Sequence, residues 1–267
     1  MYPDELRITF LGTSTALPDE GSDTASYAIG GRVLVDTGWF AIDNLRRANI
    51  DPLSIDLLLF THFHHDHYLS LPSVLFYRLM KRRALDELTI AGPAEDIERV
   101  VALALDFLQV DRFFPHAGKP TLMPLRPGDA FEAHGLRIRT HGTVHPVAGV
   151  SYRFEEPETG AALVLTGDTA FHPPLADFAK GCHMLVHEAS LGPIEADPAN
   201  NPALHSGAID AAKLAKLAGA DKLILVHGPI AKAEACVQAA QEVFGPDVAW
   251  PKDGETIALT LDHPRKA

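Results

Sequence analysis

Only two of the 267 residues are cysteine, Cys182 and Cys236. Two such residues imply no disulfide framework, which makes a reducing compartment the default. No uninterrupted apolar run approaches the roughly 20 residues of a membrane span. The N-terminus, Met1-Tyr2-Pro3-Asp4-Glu5, is acidic and lacks the apolar core of a signal peptide. A soluble, cytoplasmic protein is expected. Positive charge is also scarce. With 23 Lys and Arg against 35 Asp and Glu, the net charge is −12. That disfavours broad attraction to nucleic acid or to an anionic membrane. The one basic concentration, Arg78, Lys81, Arg82 and Arg83, closes a predicted helix, where cations complement the helix C-terminus. Linkers, low-complexity segments and short repeats are missing as well. What is plentiful is apolar residues, 46% of the chain, ample for a sizeable core.

Against that background one stretch stands out, Thr61-His62-Phe63-His64-His65-Asp66-His67. His62, His64, Asp66 and His67 are usable metal ligands within six residues. The apolar run Ile55–Phe60 before them predicts a buried strand, and Tyr68–Met80 after them predicts a helix. A strand-to-helix turn lets side chains converge on one cation. Imidazoles and a carboxylate suit zinc or a similar first-row metal, and the lack of nearby cysteine argues against a structural zinc finger.

Further strands are predicted at Arg7–Leu11, Ser26–Ile29, Arg32–Val35, Leu88–Ala91, Thr121–Leu125, Ala130–Ala133, Leu136–His141, Gly149–Glu155, Ala161–Thr166, Met184–His187, Lys222–Val226, near Val248, and Thr256–Leu261. Gly30-Gly31 and Pro157–Gly160 mark hairpin turns. Helices are predicted at Ala41–Ala48, Ala94–Val110, Gly207–Ala218 with Ser206 as N-cap, and Ala231–Val243. Hairpins followed by strand–helix units occur twice. Two such halves, sheets packed together and helices outside, fit one four-layer α/β domain. Three more metal-competent residues stand at predicted strand ends: His145, Asp168 in Thr166-Gly167-Asp168-Thr169, and His227 before Gly228-Pro229.

Taken in order, Phe10-Leu11-Gly12-Thr13, Asp36-Thr37-Gly38, the Thr61–His67 motif, His145, Thr166–Thr169, His187-Glu188-Ala189-Ser190, His205-Ser206 and His227 resemble the metallo-β-lactamase fold superfamily. Within it the likeness is to the ribonuclease Z-like phosphodiesterase group, over nearly the whole chain. The resemblance implies an αββα fold in a single domain spanning 1–267. It implies two divalent metal ions, zinc by default, with manganese or iron as alternatives. His62, His64 and His145 would hold one ion, Asp66, His67 and His227 the other, and Asp168 both. A hydroxide shared by the ions would attack the substrate. Asp66, Glu188 and His205 would be catalytic, with Glu188 orienting His205 to stabilise the phosphate or protonate the leaving group. His65 would point away, His187 reads as a core histidine, and Asp36 would support a ligand histidine from behind. Gly12 and Thr13 would let the backbone pass beneath the site.

Ribonuclease Z carries a long arm that grips tRNA. Here only 22 residues separate His145 from Asp168, and a loop and hairpin use them. With the negative charge, this argues against a ribonuclease Z-type tRNA 3′ endonuclease. A small phosphodiester is expected, of cyclic nucleotide or cyclic sugar phosphate type. The alternatives are an arylsulfatase, lactonase or thioesterase on the same metals, and a non-catalytic metal- or RNA-binding protein. Only 40 residues follow His227, too few for the helical domain of glyoxalase-type thioesterases. No membrane partner is expected. The aromatic segment Leu69–Val110 is the candidate face for a homodimer.

Overall fold

Strands in which every residue is apolar need cover on both faces. Val33–Val35 and Leu57–Leu59 are such strands, and both are fully buried. The computed structural model describes residues 6–259, where two seven-stranded sheets form. In the first, β1 (Arg7–Gly12), β2 (Ser26–Ile29) and β3 (Val33–Val35) pair antiparallel. Then β4 (Leu57–Leu59), β5 (Thr89–Pro93) and β6 (Thr121–Leu125) continue parallel to β3. Helices α1 (Ala41–Arg47), α2 (His65–Tyr68), α3 (Leu71–Met80), α4 (Ile97–Phe107) and α5 (Val110–Phe113) fill the connections.

The second sheet repeats the plan. β7 (Ala130–Ala133), β8 (Leu136–Gly142), β9 (Val150–Glu155) and β10 (Ala162–Leu165) are antiparallel. β11 (Met184–Glu188), β12 (Lys222–Val226) and β13 (Val248–Ala249) run parallel to β10. Between them lie α6 (Pro173–Phe178), α7 (Ala208–Ala218) and α8 (Ala233–Phe244). Finally β14 (Thr256–Ala258) returns to the first sheet and pairs with β1.

Alternate strand residues serve different layers. Val33, Val35, Leu57 and Leu59 pack across the sandwich with Leu163, Leu165, Val186 and Ile224. Their neighbours Leu34 and Leu58 pack outward on Leu45, Val74, Leu75 and Val101 of α1, α3 and α4. On the other side Leu185, Leu223 and Leu225 pack on Ala211, Leu214 and Ala240 of α7 and α8. Each large side chain so buried contributes roughly 1.5–3 kcal/mol. The doubly apolar strands therefore impose four layers, αββα, as expected.

Several local expectations are corrected. Tyr68–Met80 is not one helix: the chain breaks at Leu69-Ser70, where Ser70 N donates to Gly38 O at 3.0 Å. Pro72, in the first turn of α3, restarts the helix. Ser206 does not cap α7, because its hydroxyl donates to Thr169 O at 2.7 Å. Asp210 caps instead, accepting from Gly207 N at 2.9 Å. Arg78 is not a surface cation. It is 1% exposed and donates to Ile55 O at 2.8 Å. The strand expected at Thr256–Leu261 ends at Ala258, and Thr260 and Leu261 lie outside the described residues, as does Met1–Glu5. Among the described residues no helix is long and apolar enough to cross a membrane.

Candidate metal centre

All the expected ligands gather at the carboxyl ends of strands on one rim of the sandwich, where open α/β sheets place their ligands. The motif follows β4. Thr61 donates to the buried Asp36 carboxylate from N at 2.8 Å and from Oγ1 at 2.7 Å, which fixes the start of the turn. The single turn α2 then presents Asp66 and His67 inward and leaves His65 exposed against Tyr68. His145 sits in the loop after β8, Asp168 after β10, Glu188 at the end of β11 and His227 after β12. Val150 N donates to Thr61 O at 2.8 Å, tying the second sheet to the motif. Gly167 has φ +64°, and a Cβ there would meet Thr61 Cβ at 2.9 Å. Only glycine lets the strand end carrying Asp168 approach so closely.

The donor atoms form a continuous ring. His64 Nδ1 lies 3.1 Å from His62 Nε2 and 2.9 Å from His145 Nε2. Asp66 Oδ2 lies 3.2 Å from His227 Nε2 and 3.4 Å from His67 Nε2. Between the groups, Asp168 Oδ2 stands 3.4 Å from His227, 3.5 Å from His67 and 3.8 Å from His62. In each of His62–His64–His145, Asp66–His67–His227 and His62–His67–Asp168 the donors lie within 4.8 Å of one another.

Buried His67 tests whether a metal fits. Its Nδ1 faces Asp36 at 2.8 Å, so its proton belongs there. Its Nε2 is buried with no hydrogen-bond partner, aimed at the oxygens of Asp66 and Asp168. Lone pairs cannot face lone pairs in a buried site without several kcal/mol of penalty, on the order of 1–3 for each orphaned group. Either a proton or a metal cation must lie between them. The titration directions express the same demand. Burial opposes charge on His67, yet Asp168 and Asp36 hold it well above an ordinary histidine. Burial opposes charge on Asp168 too, and His227 and His67 hold it well below an ordinary carboxylate. By contrast, burial lowers His62 and His64, and takes His145 to about 4, leaving the neutral form that binds metal. The donor set fits two divalent ions.

Beside the ring, Glu188 holds His205. His205 Nδ1 lies 2.9 Å from Glu188 Oε1 and 3.0 Å from Oε2, and 3.9 Å from Asp168. Burial works against charge on this imidazole, but Glu188 and Asp168 lift it to about 9. Asn201 clamps the main chain of His205, with Nδ2 donating to its O at 2.6 Å and Oδ1 accepting from its N at 3.2 Å. Leu204 (φ 55°), Asp36 (φ 54°) and His227 (φ 49°) occupy the left-handed region, as Asn49, Arg82, Gln109 and His134 do away from the site.

His187 is fully buried, with Nδ1 2.8 Å from Glu188 O, and joins none of the ligand groups. Neither do His116, His134, His141, His172 or His183. Phe40 is exposed and Trp39 half-buried. Gly12 does make a close passage, since a Cβ there would meet Thr24 O at 2.0 Å. A cleft of about 460 Å³ opens elsewhere, beside Asp19, Asp23, Asp43 and Asp253. None of the ring residues lines it, and its carboxylates repel an anionic ester. Sequence reasoning passed over Thr61 as a brace, Ser190, Asn201 and Asp23. Asp23 accepts from Trp39 N, Phe40 N and Asn44 Nδ2 at 3.1, 2.8 and 2.8 Å, and shapes the turn after Asp36. Small polar residues of this kind carry no spacing signal.

Known proteins resemble this chain in sequence and in fold. The Beta-lactamase superfamily domain model matches residues 31–228. A ribonuclease Z of Mycolicibacterium paratuberculosis is 30% identical over 240 residues, covering 83% of this chain and 85% of its own length. The fold is shared, at TM-score 0.79 and 23% identity, with the metallo-beta-lactamase fold protein YhfI of Bacillus subtilis, over 95% of this chain and 99% of that one. Human tRNase Z, short form, gives a TM-score of 0.72 at 19% identity, over 96% of this chain and 100% of that one. The chain belongs to the metallo-β-lactamase superfamily, in its ribonuclease Z-like group, and is a metal-dependent hydrolase.

Proposed function

We propose that this hydrolase is a phosphodiesterase acting on a small phosphodiester of cyclic nucleotide or cyclic sugar phosphate type. The observation that carries the reading is the His205–Glu188 pair, an imidazole that the carboxylate favours in its protonated form, held at the edge of the donor ring. A cation there is suited to a substrate that is an anion and leaves as an alkoxide. His62, His64 and His145 would hold one divalent ion, Asp66, His67 and His227 a second, and Asp168 would touch both. Zinc suits these donors, with manganese and iron as the other candidates. When bound, the two ions supply an acidified water and offset charge on the phosphoryl oxygens. Asp66 orients the attacking water. His205 binds a phosphoryl oxygen or hands its Nε2 proton to the departing oxygen, and Glu188 keeps the imidazole aimed and charged. Donors drawn from both halves of the chain support one working domain over 1–267.

The relatives named ribonuclease Z and tRNase Z favour RNA as the competing substrate. Against it, the residues between His145 and Asp168 are spent on the loop to Gly149, β9, its turn and β10, leaving nothing to form an arm. The net charge of −12 also opposes a polyanion. The test is a side-by-side assay of bis-p-nitrophenyl phosphate, 2′,3′-cyclic nucleotides, precursor tRNA, p-nitrophenyl sulfate, a lactone and a thioester. Preferred turnover of the small phosphodiesters supports the proposal. Preferred cleavage of precursor tRNA, or of the sulfate ester, rejects it.

A further inference from the structure

The two halves of the donor ring are braced differently from behind. His67 turns Nδ1 to the Asp36 carboxylate at 2.8 Å. His227 turns Nδ1 to Ser190 Oγ at 2.9 Å, and the same hydroxyl donates its proton to the main-chain oxygen of His227, also at 2.9 Å. A hydroxyl that has given its only proton to a carbonyl can only accept from the imidazole. His227 therefore holds a proton on Nδ1, and its Nε2, 3.2 Å from Asp66 Oδ2 and 3.4 Å from Asp168 Oδ2, is the nitrogen left for a metal. Both histidines of this half are locked in the tautomer that binds metal, and both are buried.

The other half is braced at one ligand only. His62, also buried, meets Thr61 Oγ1 through Nδ1 at 3.1 Å, and that hydroxyl, its proton given to Asp36, likewise accepts from the imidazole. His145 Nδ1 stands 3.5 Å from Leu204 O, at the limit of a hydrogen bond. His64 points Nδ1 into the ring, and its Nε2 has no hydrogen-bond partner among the described residues. His64 and His145 are only half-buried. Charge divides the same way. One half offers three neutral imidazoles. The other offers the Asp66 carboxylate with Asp36 behind it. Asp168 is common to both.

We propose that the ring holds its two ions unequally: the Asp66–His67–His227 half, braced by Asp36 and Ser190, retains its ion, and the His62–His64–His145 half exchanges its own. The inference rests on the metal-centre reading above. Ser190 is in this view a positioning residue, acting on the metal only through His227. Partners behind metal-binding histidines are each worth about 10–100-fold in affinity. The Asp66–His67–His227 half has two, Asp36 and Ser190, for two histidines; the other has one hydroxyl, Thr61, and a 3.5 Å contact for three.

The experiment titrates the full, metal-free chain with zinc alone in competition with a chromogenic chelator, with bound metal counted by atomic absorption. Two equivalents are expected, with dissociation constants at least about 10-fold apart. His64→Ala removes the weak equivalent and leaves the tight one. Ser190→Ala weakens the tight equivalent by about 10–100-fold, and Ser190→Thr restores it. Two equivalents of indistinguishable affinity overturn the proposal and leave the metal-centre reading intact. So does Ser190→Ala weakening only the equivalent that His64→Ala removes. Failure of the wild-type chain to bind any zinc overturns both.

Discussion

Glu188 reaches across from the end of β11 to the main chain beside Asp168: its Oε1 accepts from Thr169 N at 2.7 Å while also lying 2.9 Å from His205 Nδ1. One carboxylate thus aims the imidazole and anchors the turn that carries the shared ligand. The two duties separate by substitution. Glu188→Gln keeps an acceptor for Thr169 N but loses the charge that holds His205 protonated. It is expected to retain metal and lose about 10²–10⁴-fold in kcat. Glu188→Ala loses the anchor too, and zinc content should fall with activity. Equal metal content in both variants would show that the anchor does not matter.

The pH profile follows from the same pair. A proton donor works in its protonated form, so activity on a phosphodiester with a poor leaving group should fall as pH rises through the pKa of His205. Glu188 and Asp168 place that pKa at about 9 in the protein without metal, and bound cations act to lower it. The alkaline limb is expected at or below about 9. In Glu188→Gln the burial that opposes charge loses its main opponent, so the limb moves to lower pH. A limb that stays in place in kcat–pH curves of the variant would remove His205 from the role.

Gly167→Ala puts a Cβ 2.9 Å from Thr61 Cβ at a φ of +64°. The backbone cost alone is about 1–2 kcal/mol, and relief of the clash must move Asp168 or the motif. Lower melting temperature together with reduced zinc binding is expected. Normal zinc binding at a lowered melting temperature would show that the turn can shift without the carboxylate.

Tyr152, fully buried in β9, donates from Oη to Phe60 O at 2.7 Å, joining the second sheet to the residue before the motif. Tyr152→Phe orphans that carbonyl, at a cost of roughly 1–3 kcal/mol. Urea unfolding of the metal-free protein measures it. A change under about 0.5 kcal/mol, the usual scatter of uninvolved sites, would mean that another donor replaces Tyr152.

Leu69, Phe76, Met80, Leu103, Phe107 and Phe113 remain exposed along α3, α4 and α5. A homodimer through this face is the expected state by light scattering, and Phe76→Glu with Phe107→Glu should yield monomers. A monomeric mass for the wild-type chain rejects the pairing.

Much of this molecule is legible along the chain because its signals are local. His62, His64, Asp66 and His67 sit within six residues, and donors of that kind placed after apolar runs announce strand ends. Runs such as Leu57–Leu59 and Leu223–Val226, apolar at each position, announce strands covered on both faces. The order of residues therefore specifies the four layers and the donors that gather in the ring. Of what stands behind them, only Asp36, which braces His67 across 31 positions, is expected from the family resemblance. Ser190 braces His227 across 37 positions, and Arg78 turns inward to a carbonyl 23 positions away, with no such signal. Serine, aspartate and arginine are common on any surface, and no period or spacing marks the few that are drawn inside. Only folding brings the paired groups within 3 Å, and there the loss of water, rather than residue type, makes each hydrogen bond obligatory.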